Sequence, residues 1–285
     1  RYDNPNKILD QIAKASPEEA TNLVQSLYDH KKFPVKDKLI AKRVAEIKKA
    51  KVPVVVSCIP QNAEHFAKIA HDAGADIFIV QSTVATVRHL ATEYKILDIE
   101  KFFKKTKMPV IIGNAVTYDM TLELMEIGAS GILVGIGPGA ACTSRGVLGI
   151  GVPQITATVD CAAARDYYFK RKGKYIPIIT DGGMRIGGEI CKAFAAGSDA
   201  VMVGSAFAKA QEAPGRGYHW GMATSHANLP RGTRIRVGTS GTLKEILMGP
   251  AKVDDGSQNL VGALKTSMGS LGARNIQEMH DVEII

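Results

Sequence analysis

No stretch of about 18 apolar residues, the length a bilayer-crossing helix needs, occurs anywhere in the chain. The opening decapeptide, RYDNPNKILD, has none of the apolar core of a secretory signal. A cytoplasmic location with no membrane partner is therefore expected. Cysteine is scarce: four in 285 residues, at positions 58, 142, 161 and 191, with no C-x-x-C pair. That pattern excludes a disulfide framework, and reduced thiols are expected. The seven histidines include no H-x-x-x-H pair, which leaves a transition-metal centre without support. No low-complexity tract or linker interrupts the chain. The basic segments lack interleaved aromatic residues, so nucleic acid is not an expected partner.

What is present is the balance of an ordinary globular protein. Hydrophobic residues make up 45% and charged residues 22%, enough apolar material for one large core or two modest ones. The formal charge is +8. Much of the excess lies in 29–51 and 104–107, where lysines alternate with acidic and apolar residues at helical spacing, as on solvated helix faces. A basic balance also suits an anionic small ligand.

Short β-branched runs alternate with helical stretches along most of the chain. The runs are 52–59, 76–83, 108–116, 131–137, 175–183 and 199–205; the helical stretches include 62–75, 117–130, 153–173 and 187–198. Several helical stretches end in Gly-Ala or Gly-Ser, which suits a left-handed C-cap before the next strand. Such alternation implies an α/β fold with a parallel sheet covered on both faces or closed into a barrel. Six strand–helix units are visible and residues 1–50 read as helical. A closed barrel needs eight, so the alternatives are an open doubly wound sheet and a barrel whose first two units are missing.

In either architecture ligands gather at the carboxyl ends of the strands. Those ends carry Ser57-Cys58, Gln81-Ser82, Gly113-Asn114, the loop 135–146, Asp181-Gly182-Gly183 and Gly204-Ser205. Glycines at the last two ends let backbone N–H groups approach a phosphate. The Asp181 carboxylate suits ribose hydroxyls. Among the thiols, Cys142 alone sits among glycines and the hydroxyls of Thr143 and Ser144, the setting a nucleophile needs; Cys58, also at a strand end, is its rival.

The run GIGPGAACTSR is followed in order by GVPQ, DGG and MVGS, then by EAPGR, HWGM and NLVGALKTSMGSLGA. Along almost the whole chain these motifs resemble the IMP dehydrogenase/GMP reductase family, in particular a divergent branch without the tandem nucleotide-binding regulatory module. The resemblance implies a (β/α)8 TIM barrel whose first two βα units are missing, residues 1–285 forming one catalytic domain with no inserted regulatory domain. It implies NAD-dependent oxidation of IMP to XMP in guanine nucleotide synthesis through a covalent adduct on Cys142, with Thr143 and Arg231 as the other catalytic positions. Asp181, Gly182, Gly183, Gly204, Ser205, Tyr218, His219, Gly221 and Met222 would hold the purine nucleotide. Gln81, Ser82, Asn114 and Gly135 would face the NAD cofactor. The carbonyls of Gly137, Gly139 and Cys142 would hold a potassium ion, and the assembly would be a homotetramer or octamer.

Three positions depart from the family pattern. Ala140 replaces a phosphate-contacting serine, and Gln81 replaces an aspartate beside the nicotinamide. Only ATSHANL separates Met222 from PRGTRIRVG, so the dehydrogenases' mobile flap with its water-activating Arg-Tyr pair is not visible, and Arg231 stands where relatives have Glu or Gln. Arg231 or Arg234 is then expected near the hydrolytic water. The alternatives to IMP dehydrogenase are GMP reductase, running on GMP and NADPH with release of ammonia, and a purine-nucleotide-binding protein without turnover.

Overall fold

A computed structural model of the chain describes residues 1–29, 31–92, 94–220 and 234–284. Each apolar run carries a strand: β1 (Val55–Cys58), β2 (Ile77–Gln81), β3 (Val110–Ala115), β4 (Gly131–Val134), β5 (Ile178–Asp181) and β6 (Ala200–Met202). They form one sheet in the order β1-β2-β3-β4-β5-β6. The pairings from β1 to β5 are all parallel, with Val55 opposite Ile77, Phe78 opposite Val110, Ile111 opposite Gly131 and Ile132 opposite Ile178. A doubly wound sheet reverses its strand order at a switch point; a βα barrel does not. The unbroken order decides between the two architectures in favour of the barrel type. All six residues of β3 are buried, as a strand covered on both faces requires.

The helices feed these strands through a repeated cap. Helices Ala63–Asp72, Tyr118–Glu126 and Gly187–Ala195 are followed by Gly74, Gly128 and Gly197, with φ of 92°, 112° and 98°. In each, the next residue donates its N–H five residues back: Ala75 to Ala70, Ala129 to Leu124 and Ser198 to Ala193. This is the Schellman arrangement, in which a left-handed residue turns the chain while satisfying the helix's last carbonyls. Helix Gln154–Lys172 ends on Gly173 in the same left-handed region.

The chain divides into two compact units. One comprises Val35–Ile136 and Val152–Thr180. Its core is a layer of sheet residues such as Phe78, Ile112 and Ile132 packed against Ala67, Leu124 and Ala157 from the helices. The other comprises Arg1–Pro34, Gly137–Gly151 and Asp181–Ile285. It holds two apolar clusters. One joins Ile190 and Phe194 to Ile246, Leu260 and Met279; the other joins Ile12, Val24 and Leu27 to the partly buried Trp220.

Residues 1–50 contain helices Pro5–Lys14, Pro17–Tyr28 and Asp37–Lys49 and no strand among the described residues. A two-stranded antiparallel ribbon, β7 (Tyr218–His219) and β8 (Ile235–Arg236), carries no periodic signal in the sequence. No helix among the described residues is long and apolar enough to cross a membrane.

Candidate active site

Within the unit that holds Cys142, the described segments that carry most of the expected nucleotide residues lie against one another. The loop after Ile136 folds back at Gly139, whose carbonyl accepts the Cys142 N–H at 2.9 Å. The end of β5 packs on this loop. A Cβ on Gly182 would lie 3.3 Å from Pro138 Cγ and 3.4 Å from the Gly139 nitrogen, and one on Gly183 would lie 3.0 Å from Pro138 Cβ. Both glycines have φ above 80°, so close approach and backbone conformation both require glycine there. The Gly182 N–H donates to Met202 O at 3.0 Å, tying β5 to the strand that leads into Gly204. His219 then covers Gly204, its Cε1 3.5 Å from the position a Cβ would take. Loop 137–144, Asp181–Gly183, Gly204–Ser205 and His219 thus form one connected surface, although 77 positions separate Cys142 from His219 in sequence.

The Cys142 side chain is exposed, and its thiol lies 3.3 Å from Ser144 Oγ, to which it donates. The hydroxyl on the thiol is therefore that of Ser144, which is 3% exposed, rather than that of its neighbour Thr143. Thr143 Oγ1 is buried with no partner among the described residues, an acceptor and donor held in reserve inside the loop. The alternative nucleophile, Cys58, is half-buried, and burial pushes its thiol up to about 12. At neutral pH it stays protonated and unreactive. Cys161, in the core beneath Thr121, is likewise pushed up to about 12, and Cys191 is buried. Of the four thiols, Cys142 is the exposed one.

Two of the loop glycines serve a side chain. A Cβ on Gly137 or on Gly151 would lie 2.6 Å from Arg145 Cγ. The stem of Arg145 occupies the space the two glycines leave, which closes the loop 137–151 on itself. His219 is half-buried with Nδ1 unpartnered among the described residues, and burial pulls its pKa below the ordinary histidine value. A neutral ring with a dry, unused nitrogen is poised to accept a partner that compensates its desolvation.

Arg234 is engaged away from this surface. Its guanidinium donates to the carbonyls of Ile12 and Ala15, the latter at 2.6 Å, and lies 4.2 Å from the centre of the Tyr218 ring. It caps the first helix, with both arms of its guanidinium on main-chain carbonyls. Gly221, Met222 and Arg231 lie outside the described residues.

The expected cofactor residues fall in the other unit. Gln81 ends β2 opposite Gly113, and the Ser82 N–H donates to Gly113 O at 2.8 Å. The Ser82 hydroxyl donates to Val84 O at 2.8 Å, so it shapes its own turn and keeps only acceptor capacity for a ligand. Asn114 is 5% exposed, and its carbonyl accepts the Ala85 N–H at 2.9 Å. Gly135 is buried and joined through its N–H to Ala115 O at 3.0 Å. This set presents neutral amide chemistry at adjacent strand ends.

Among the described residues no three His, Cys, Asp or Glu side chains converge in a way that could hold a metal ion. The loop's own donors for a cation are main-chain oxygens, and that of Gly139 already accepts one hydrogen bond, leaving one lone pair.

A family model described as the IMP dehydrogenase / GMP reductase domain matches residues 31–285. An uncharacterized oxidoreductase of Mycobacterium tuberculosis is 36% identical over 278 residues, covering 95% of this chain and 73% of that protein. The inosine-5'-monophosphate dehydrogenase of Cryptosporidium parvum is 35% identical over 246 residues, covering 79% of this chain and 58% of that enzyme. Among solved structures, the IMP dehydrogenase/GMP reductase-like protein of Corynebacterium glutamicum superposes with a TM-score of 0.89 at 32% identity, covering 99% of this chain and 75% of that one.

Proposed function

Since the chain belongs to the IMP dehydrogenase/GMP reductase family, we propose that it is an oxidoreductase acting at C2 of a purine nucleoside monophosphate, with IMP dehydrogenase as the first reading. The observation that carries this reading is the connected surface of loop 137–144, Gly182–Gly183 and Gly204–His219, which sets the one exposed thiol beside backbone cradles fit for a phosphorylated ligand. Cys142 loses its proton and its sulfur bonds to C2 of IMP. Hydride leaves C2, and hydrolysis of the resulting thioimidate returns the thiol and gives XMP. Ser144 holds the thiol's orientation before attack. Asp181 accepts from the ribose hydroxyls, Gly183, Gly204 and Ser205 receive the phosphate, and His219 closes over it, with Gly182 beside it and Tyr218 supporting the ribbon from its other side. NAD supplies the hydride acceptor when bound. The amides of Gln81 and Asn114 match the donor and acceptor pair of a carboxamide, and Ser82 and Gly135 complete that strand-end set. Potassium, a hard cation, fits main-chain oxygens of Gly137, Gly139 and Cys142 in kind.

GMP reductase is the second reading, favoured by one feature of the sequence. The residues between Met222 and Arg234 include no Arg-Tyr pair, and the reductive direction needs no activated water. It uses the same thiol: sulfur bonds to C2 of GMP and ammonia leaves; C2 then gains a hydride, which NADPH would supply when bound, and the C2–S bond breaks to give IMP and the free thiol. The two are separated by following nicotinamide absorbance with IMP plus NAD and with GMP plus NADPH. NADPH consumption with GMP and none of NAD reduction with IMP would overturn the dehydrogenase reading. Tight nucleotide binding with neither reaction, and no thiol adduct by intact mass, would leave a binding protein.

Ala140→Ser restores a hydroxyl donor to the loop at the position from which relatives contact phosphate. One neutral hydrogen bond contributes about 0.5–1.5 kcal/mol, so KM for the nucleotide should fall roughly two- to tenfold with kcat little changed. A rise in KM would place Ala140 away from the phosphate.

A further inference from the structure

The ribbon that carries His219 is gripped by the N-terminal helices. Arg216 forms an ion pair with Asp10 at 2.7 Å. The Trp220 indole N–H donates to Tyr28 Oη at 3.1 Å, and its ring packs on Ile12, Val24 and Leu27. On β8, Arg234 lies over the Tyr218 ring and reaches across to the carbonyls of Ile12 and Ala15. Every one of these partners belongs to the helix pair Pro5–Lys14 and Pro17–Tyr28 or to Ala15 between them. In extended chain successive side chains point to opposite sides. Tyr218 and Trp220 face the helix pair, and His219 between them faces Gly204.

We propose that the N-terminal helix pair is a positioning element of the nucleotide site, and that Arg234 is the positioning residue through which it aims His219 at a phosphate over Gly204–Ser205. The inference rests on the phosphate reading of Gly204–Ser205 given above. It adds that residues outside the stretch 31–285, the stretch the family model matches, set the affinity of that subsite. Arg234 suits the task because a planar fork addresses two carbonyls at once while its face stacks on an aromatic ring; lysine reaches one carbonyl and stacks poorly. Holding the ring in one orientation lowers the ordering cost that a phosphate otherwise meets on binding.

The test is a double-mutant cycle read by calorimetry on the whole chain, with IMP, GMP and phosphate-free inosine as probes. Arg234→Met should weaken the monophosphates about tenfold and inosine hardly at all, because the lost term is one oriented hydrogen bond to a charged group. Arg234→Lys, the milder change, should fall between. His219→Ala should weaken the monophosphates to a similar degree, and adding Arg234→Met to His219→Ala should cost nothing further. Equal losses for inosine, or full additivity in the double variant, would overturn the positioning role, because general loosening gives both. If Arg234→Met does not fold, Arg234→Lys and Tyr28→Phe carry the same cycle. If His219→Ala is silent while Gly204→Ala weakens the monophosphates, the positioning role fails and the phosphate reading stands. If the wild type binds IMP, GMP and inosine alike, both fail together.

Discussion

Replacing Cys142 with alanine will remove turnover with either substrate pair, a loss on the order of 10⁴-fold or more in kcat, because the covalent path has no substitute nucleophile. The other three thiols offer none. Cys58 is held protonated by burial at about 12, Cys161 likewise at about 12, and Cys191 lies inside a helix in the core. Cys142 is exposed, so the alanine variant should melt with the wild type and still bind nucleotide. Steady-state assays in both directions, with intact mass after substrate incubation, check this. Activity retained by Cys142→Ala and lost by Cys58→Ala would reverse the assignment. Ser144→Ala separates orientation from nucleophilicity, since it leaves the sulfur in place and removes only the hydroxyl it faces.

Gly113→Ala should be among the most destabilising single-methyl changes in the chain. The added carbon would lie 2.4 Å from Leu133 Cβ, 2.7 Å from Leu133 O and 3.0 Å from Leu133 Cα. Two of those atoms are main chain in the neighbouring strand, so relief means parting β3 from β4. Overpacking of this kind costs about 3 kcal/mol or more, which for a chain of this size lowers the melting temperature by roughly 6–12 °C. Scanning calorimetry reads the effect directly; an unchanged melting temperature would mean that β3 and β4 are not in this contact. Asn114 follows immediately, so whatever binds at that strand end depends on β3 lying this close to β4. Loss of cofactor affinity should accompany the loss of stability.

The strands, their parallel sense and the strand ends were legible because each signal is local. An apolar β-branched run such as MPVII, a helix closing on Gly-Ala, and glycines flanking a thiol each state their conformation within about ten residues. The exposed cysteine was legible for the same reason. The ribbon Tyr218–His219 with Ile235–Arg236 was not, because two residues are too few to show a period and the partner strand begins 16 positions later in the sequence.

The sequence by itself determined the alternation of strand and helix, the six strand ends and the family motifs, all set by backbone propensity and short-range pattern. Only the tertiary structure decided that the strand order runs unbroken, that Ser144 rather than Thr143 faces the thiol, and that Arg145 fills the space between Gly137 and Gly151. It also decided that the Arg234 guanidinium caps the first helix. These are contacts between groups whose separation in sequence carries no periodicity. They depend on which surfaces meet when the chain closes, and burial then assigns each polar group its partner.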